Sequence, residues 1–296
     1  MAFLDLSQLW NYGFYALIVF ILILPFLYDG GRQAVTYHGK FFFYYFLVSL
    51  SAIGFSFVFC FNAKNVKNCW YAADALKNIG KLFGIKWELR GMEHIIKDGA
   101  IVIANHQSSL DLLGMFQFWR IMGKVTAIAK KELFYFWPFG LCAWLAGVVF
   151  IDRNNASKSY DILKESAKLT KEDETKLFFF PEGTRNIKVN KTKTLLPFKK
   201  GAFKLAILCQ IPILPVVFSP YYFIDSDDKY FKTGKVIVKA LPPISTTDLT
   251  EKDIGDLMEK ARNAMTKAFE ELFDEVVCSL PENHKMRSSM QKMRTE

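Results

Sequence analysis

Three observations predict an α/β domain held at a membrane. Short apolar strands alternate with helical segments from about residue 85 onward, and two long uncharged runs precede them. Between the second strand and the helix after it stand a histidine and, five positions later, an aspartate. The chain divides accordingly into an N-terminal membrane anchor over 1–61, a cytosol-facing domain over 62–280 and a basic, disordered tail over 281–296.

The anchor is defined by what it lacks. Residues 1–61 hold only Asp5, Asp29, Arg32 and Lys40 as charges, and the uncharged runs cover 19 residues over 10–28 and 21 over 41–61. Each is long enough at helical rise to cross a hydrocarbon layer of about 30 Å. Two helices joined by a loop carrying Arg32 and Lys40 return the chain to its starting side. The same composition also suits a hairpin that dips into one leaflet. Asp5 and the missing N-terminal basic residue argue against a cleaved signal peptide. Lys64, Lys67, Lys77, Lys81, Lys86 and Arg90 follow the second run and place the domain on the cytosolic side.

Along the domain, Val66, Trp70, Ala73, Leu76 and Ile79 repeat at helical spacing, so 62–84 reads as one amphipathic helix. Strands follow over 85–89, 100–104 and 125–129. The uncharged run 133–151 is interrupted by Pro138, Gly140 and Gly147, and a membrane span there would separate His106 from everything after Asp152. A buried or interfacial pair of short helices is expected instead. A helix over 156–171, a strand over 176–180, a helix over 201–209, strands over 211–218 and 236–241 and a helical stretch over 248–278 complete the series. Pro212 and Pro215 mark the 211–218 strand as an edge, or as a place where ladder bonding stops.

Chemistry gathers at two strand ends. Residues 101–104 run into Asn105 and His106, and helical periodicity resumes at Leu110. On a continuous helix His106 and Asp111 would stand about 140° apart, so a contact requires the chain to turn through 107–109. With that turn Asp111 fixes the ring tautomer and leaves the other nitrogen to accept a proton from a hydroxyl. Ser108 and Asp111 also fit a helix-capping pattern, and a core histidine satisfied by its neighbours is the plain alternative. At the other end Pro181-Glu-Gly-Thr-Arg185 offers a close-approach glycine and a guanidinium fork, the parts of an anion site. Lys188, Lys191, Lys193, Lys199 and Lys200 surround it without an acidic residue among them.

The net charge of +9 admits nucleic acid, anionic membrane or anionic small ligands. No nucleic-acid-binding pattern accompanies it, so lipid surfaces and phosphorylated ligands remain. The five scattered cysteines suit a reducing compartment, and the sequons at Asn155 and Asn190 are expected to stay unmodified on the cytosolic side.

In order and spacing these blocks resemble the glycerolipid acyltransferases, closest to the animal 1-acylglycerol-3-phosphate acyltransferases. The matching residues are Asn105-His106 through Asp111, Lys131-Glu-Leu with Pro138 and Gly140, Gly147 through Arg153, Phe180 through Arg185, and Ile211 through Pro215. The resemblance implies a mixed sheet flanked by helices and acyl transfer from acyl-CoA to lysophosphatidic acid at the endoplasmic reticulum membrane. It implies His106 as general base, Asp111 as its orienting partner and no covalent acyl-enzyme. It further implies phosphate contacts from Glu182, Gly183, Thr184 and Arg185, with Arg153 and Lys131 as additional candidates, and an acyl-donor lining role for Pro212 and Pro215. No cofactor and no metal are implied.

Overall fold

The computed structural model describes residues 29–152, 154–282, 284 and 286–288. The first uncharged run, Arg153 and most of the basic tail lie outside the described residues.

The described chain forms two compact units. The smaller takes residues up to Leu47 together with Phe223–Lys232, and the larger takes Val48–Tyr222 with Thr233 onward. Helix α1 (Asp29–Phe59) begins in the first and ends in the second. The loop expected over 29–40 is therefore helical. That stretch contains no proline, and its glycines each cost a helix only about 1 kcal/mol. Between Gly31 and Asn62 the chain is long and apolar enough to span a bilayer, its most apolar 18-residue window having a mean hydropathy of 1.9. Only 17% of that window is buried, whereas a core helix would be covered. In the smaller unit α1 meets a hairpin of β7 (Ile224–Asp225) and β8 (Tyr230–Phe231), which the sequence reading missed. Lys40 donates to the Phe231 carbonyl at 2.8 Å, and Gln33 to that of Asp228 at 2.7 Å.

After α1 the larger unit continues with α2 (Asn68–Leu76) and α3 (Ile79–Leu82) in place of the single helix expected over 62–84. The chain restarts at α3 with Gly80 against Trp87, where a β-carbon would lie 2.6 Å from the indole nitrogen. Then come β1 (Ile85–Arg90), β2 (Ile101–Ala104), α4 (Asp111–Phe118) and β3 (Val125–Lys130). A 3-10 turn over Lys131–Tyr135, α5 (Phe139–Leu145) and the short strand β4 (Val149–Ile151) occupy the third uncharged run, which does not form a long helix. They are followed by α6 (Ala156–Glu172), β5 (Lys176–Phe179), the single turn α7 (Val189–Thr192), α8 (Gly201–Cys209) and β6 (Ile213–Phe218). The last elements are β9 (Gly234–Ala240) and α9 (Ile254–Cys278).

Seven strands make one mixed sheet in the order β1-β9-β6-β2-β5-β3-β4. Strands β6, β2, β5, β3 and β4 are parallel, and β9 pairs antiparallel to β6 and parallel to β1. Strands β2, β5 and β6 are buried along their whole length, as two covered faces require, and this is why their sequences are apolar apart from Lys176 at the start of β5. Helix α9 lays Leu257, Ala261, Met265, Phe269, Leu272 and Val276 into the core. The 3-10 turn Glu251–Asp253 that leads into it opens with a reciprocal capping box between Thr250 and Asp253.

Strand β6 is interior, not an edge. Pro215 is tolerated there because the ladder to β9 begins only at Val216, opposite Ala240. The Pro215 carbonyl still accepts from Leu241 at 2.9 Å, and the amide that proline lacks falls where the ladder stops.

Candidate active site

Because β2, β3, β4, β5 and β6 are parallel, their carboxyl ends share one edge of the sheet. Open α/β sheets place their ligands there. His106 follows β2, Lys131 follows β3, Asp152 follows β4, the 180–185 loop follows β5 and Ser219 follows β6.

The turn between His106 and Asp111 is made by the aspartate itself. One carboxylate oxygen, Oδ2, accepts from the Gln107 amide at 2.7 Å and the Ser108 amide at 3.2 Å, and lies 2.6 Å from His106 Nδ1. Asp111 is the first residue of α4, so its charge faces the positive end of the helix dipole. It is 1% exposed, whereas the imidazole is partly open. A buried carboxylate has only lone pairs to offer those amides, so the ring hydrogen sits on Nδ1. The Nε2 lone pair is left free as a base. Helix α4 lies close because residue 114 is glycine: a β-carbon there would stand 2.6 Å from Phe218 Cε1 and 2.8 Å from Trp87 Cζ3.

Residues adjoining the motif hold the rest. The buried Asn105 side chain exchanges two hydrogen bonds with the Phe218 backbone, donating to its carbonyl at 3.0 Å and accepting from its amide at 2.8 Å. Gln107 Nε2 donates to the Ser219 carbonyl at 3.0 Å. Phe180 stacks on the His106 ring with centroids 4.0 Å apart and planes 16° from parallel. The Asn186 amide donates to the His106 carbonyl at 2.7 Å. Among these Asn105 and Phe180 were visible in the sequence as motif letters, but their roles depend on strand neighbours far along the chain. Gln107 carried only a turn signal, and Asn186 carried none.

Glu182 is 2% exposed. Its Oε1 accepts from the His106 amide at 2.9 Å and its Oε2 from the Leu196 amide at 2.8 Å, so both oxygens serve the loops that frame the histidine. Burial pushes its carboxyl above the ordinary glutamate value, against the opposing pull of those two amides. Gly183 turns the loop at φ +72°, a conformation open to glycine, and its amide donates to the Phe180 carbonyl at 3.0 Å. Thr184 and Arg185 are exposed, and Arg185 has no ion pair among the described residues. Lys131 lies 3.6 Å from Asp152. Arg153 falls outside the described residues.

The structure does not bring Pro212 to this edge. It precedes β6 at the amino end, where its carbonyl accepts from Ile101 at 2.9 Å, and Pro215 is buried within the sheet opposite Ile103. Both contribute to strand pairing.

An oriented imidazole at the carboxyl edge of a mixed sheet, with a glycine-arginine loop on the neighbouring strand, is an arrangement able to take a proton from a hydroxyl. The family description "Acyltransferase" matches residues 86–219, which contain all of these groups. The 1-acyl-sn-glycerol-3-phosphate acyltransferase alpha of Homo sapiens is 39% identical over 211 residues, covering 71% of this chain and 72% of the relative. The 1-acyl-sn-glycerol-3-phosphate acyltransferase of Saccharomyces cerevisiae is 39% identical over 207 residues, covering 69% of this chain and 66% of its own length. The chain belongs to the 1-acyl-sn-glycerol-3-phosphate acyltransferase family. The crystal structure of the 1-acyl-sn-glycerophosphate acyltransferase of Thermotoga maritima shares the fold, with a TM-score of 0.59 and 23% identity over 81% of this chain and 97% of that one.

Proposed function

We propose that the protein transfers a fatty acyl group from acyl-CoA to the sn-2 hydroxyl of lysophosphatidic acid, giving phosphatidic acid. The observation that carries this reading is the 2.6 Å contact between His106 Nδ1 and the buried Asp111, held by two backbone amides. Nε2 takes the hydroxyl proton as the oxygen attacks the thioester carbonyl. The tetrahedral adduct then expels the coenzyme A thiolate, which accepts the proton from the imidazolium. The bound thioester is already activated, so positioning and proton transfer suffice and no nucleophilic side chain takes part.

In this reading the lysolipid phosphate meets the backbone at Gly183 with Thr184, Arg185 and Lys131, in the field of Lys188, Lys199 and Lys200. Glu182 acts as a positioning residue for His106: its buried carboxylate is committed to amides and would repel the phosphate dianion. The acceptor reaches the site from the bilayer in which α1 is embedded, while acyl-CoA arrives from the cytosolic face of the endoplasmic reticulum.

The test uses the full chain in liposomes with oleoyl-CoA and a thiol-reactive dye that reports released coenzyme A. Lysophosphatidic acid, glycerol 3-phosphate and lysophosphatidylcholine are offered separately. Release with lysophosphatidic acid, lost in His106→Ala while the melting temperature is kept, supports the reading. Release with another acceptor replaces the substrate, and silence with all three points to a membrane-anchored scaffold.

A further inference from the structure

Beyond β3 the chain carries a surface that the reaction does not use. Leu133, Phe134, Tyr135, Phe136 and Trp137 are all exposed, Tyr135 and Trp137 to 70% each, and Leu141 on α5 extends the patch. Five successive large apolar side chains in water mark a contact surface. The segment is braced rather than loose, since the Phe134 ring meets Phe150 edge-on at 5.6 Å and the Gly140 amide bonds back to the Phe136 carbonyl at 2.9 Å. Residue 140 has to be glycine for this, because a β-carbon would overlap the Phe134 carbonyl oxygen.

Two observations select a bilayer as the occupant. The patch combines Tyr and Trp with the exposed Lys130 at its root, the composition of a belt at a negatively charged lipid surface. It is also tied, through the far end of α5, to the segment that follows the apolar helix. Lys64 donates its amide to the Leu145 carbonyl at 2.8 Å, Asn68 donates to the same oxygen at 3.0 Å, and the Lys64 ammonium stands 4.9 Å from the Trp144 ring centroid. Phe57 and Val58 at the end of that helix and Phe61 just past it are exposed as well. We propose that residues 133–137 with Leu141 form a wedge that enters the headgroup boundary of an anionic leaflet. It sets the carboxyl edge of the sheet, with His106, at the bilayer surface. The wedge does not depend on which acceptor the enzyme takes.

The experiment uses the full chain with the exposed Cys60 and Cys278 changed to Ser, and an environment-sensitive fluorophore on Tyr135→Cys. Asp98→Cys, in the loop that precedes β2 at the opposite edge, serves as control, and the parent without an added cysteine gives the background. Each protein is reconstituted in phosphatidylcholine–phosphatidylserine vesicles with and without bromine on the acyl chains. The expected result is a blue-shifted label at position 135 that bromine quenches, and a water-like, unquenched label at 98. A water-like, unquenched label at 135 overturns the proposal. So does a blue shift that bromine leaves untouched and that fades on dilution with empty vesicles, because a second copy would then cover the patch. Phe136→Cys repeats the measurement at a second position should Tyr135→Cys fail to fold.

Discussion

Asp111→Asn separates charge from geometry at the proposed base. In the native site Oδ2 accepts three hydrogens, from His106 Nδ1, the Gln107 amide and the Ser108 amide. The asparagine carbonyl can take all three, and the reverse orientation would set its NH2 against two backbone N–H groups. The turn and the ring tautomer are therefore kept, and what is lost is the negative charge facing an imidazolium as it forms. A full charge pair about 3 Å apart at an effective dielectric of about 20 is worth on the order of 5 kcal/mol. Only part of that charge has developed in the transition state, so ~2–4 kcal/mol is lost, a fall in kcat of roughly 30- to 10³-fold. Coenzyme A release from oleoyl-CoA with saturating lysophosphatidic acid measures it, with the Michaelis constants for both substrates unchanged. Asp111→Ala also orphans the two amides, so it should fall further and lose melting temperature. An asparagine variant within a few-fold of wild type would refute the assignment of His106 as an oriented general base.

Arg185→Ala should raise the Michaelis constant for the lysolipid by about 10- to 100-fold, the weight of one charge-assisted contact, with little change for acyl-CoA. Equal effects on both substrates would move Arg185 out of the phosphate site. Gly114→Ala places a methyl against Phe218 and Trp87 and should cost about 1–3 kcal/mol of stability, read as a lower melting temperature, with a fall in kcat as α4 shifts Asp111. Wild-type melting temperature and kcat in this variant would show that α4 is not clamped there. For Glu182 the folded carboxyl lies above its ordinary value of 4.5, so the folded state binds the extra proton. Its contribution is full below that value and is lost as pH rises through the raised one. The stability advantage of wild type over Glu182→Gln should accordingly shrink with rising pH across that window, and an advantage that grows with pH would show a carboxyl held down instead.

Strands β2, β5 and β6 were legible because they are buried on both faces, which leaves runs dominated by apolar residues. The contact between His106 and Asp111 was legible for a different reason: a strand end, a turn and a helix start are all local, so the two side chains could be joined from thirteen residues of sequence. What could not be read depends on contacts between distant segments. Pro212 and Pro215 left two readings open, an edge or a place where ladder bonding stops; the second holds at Pro215, where the ladder to β9 ends, and where a ladder ends is set by the partner strand. Glu182 shows the same limit at the site. Beside glycine and arginine its charge reads as part of an anion-binding loop, but its two oxygens meet amides 76 and 14 residues away in sequence. A carboxylate committed in that way shapes the site without offering itself to the ligand. The motif thus holds two kinds of residue side by side, Glu182 turned inward to the backbone of His106 and Arg185 turned outward to solvent, and under the proposed function their opposite burial would let one loop both position the base and receive a phosphate.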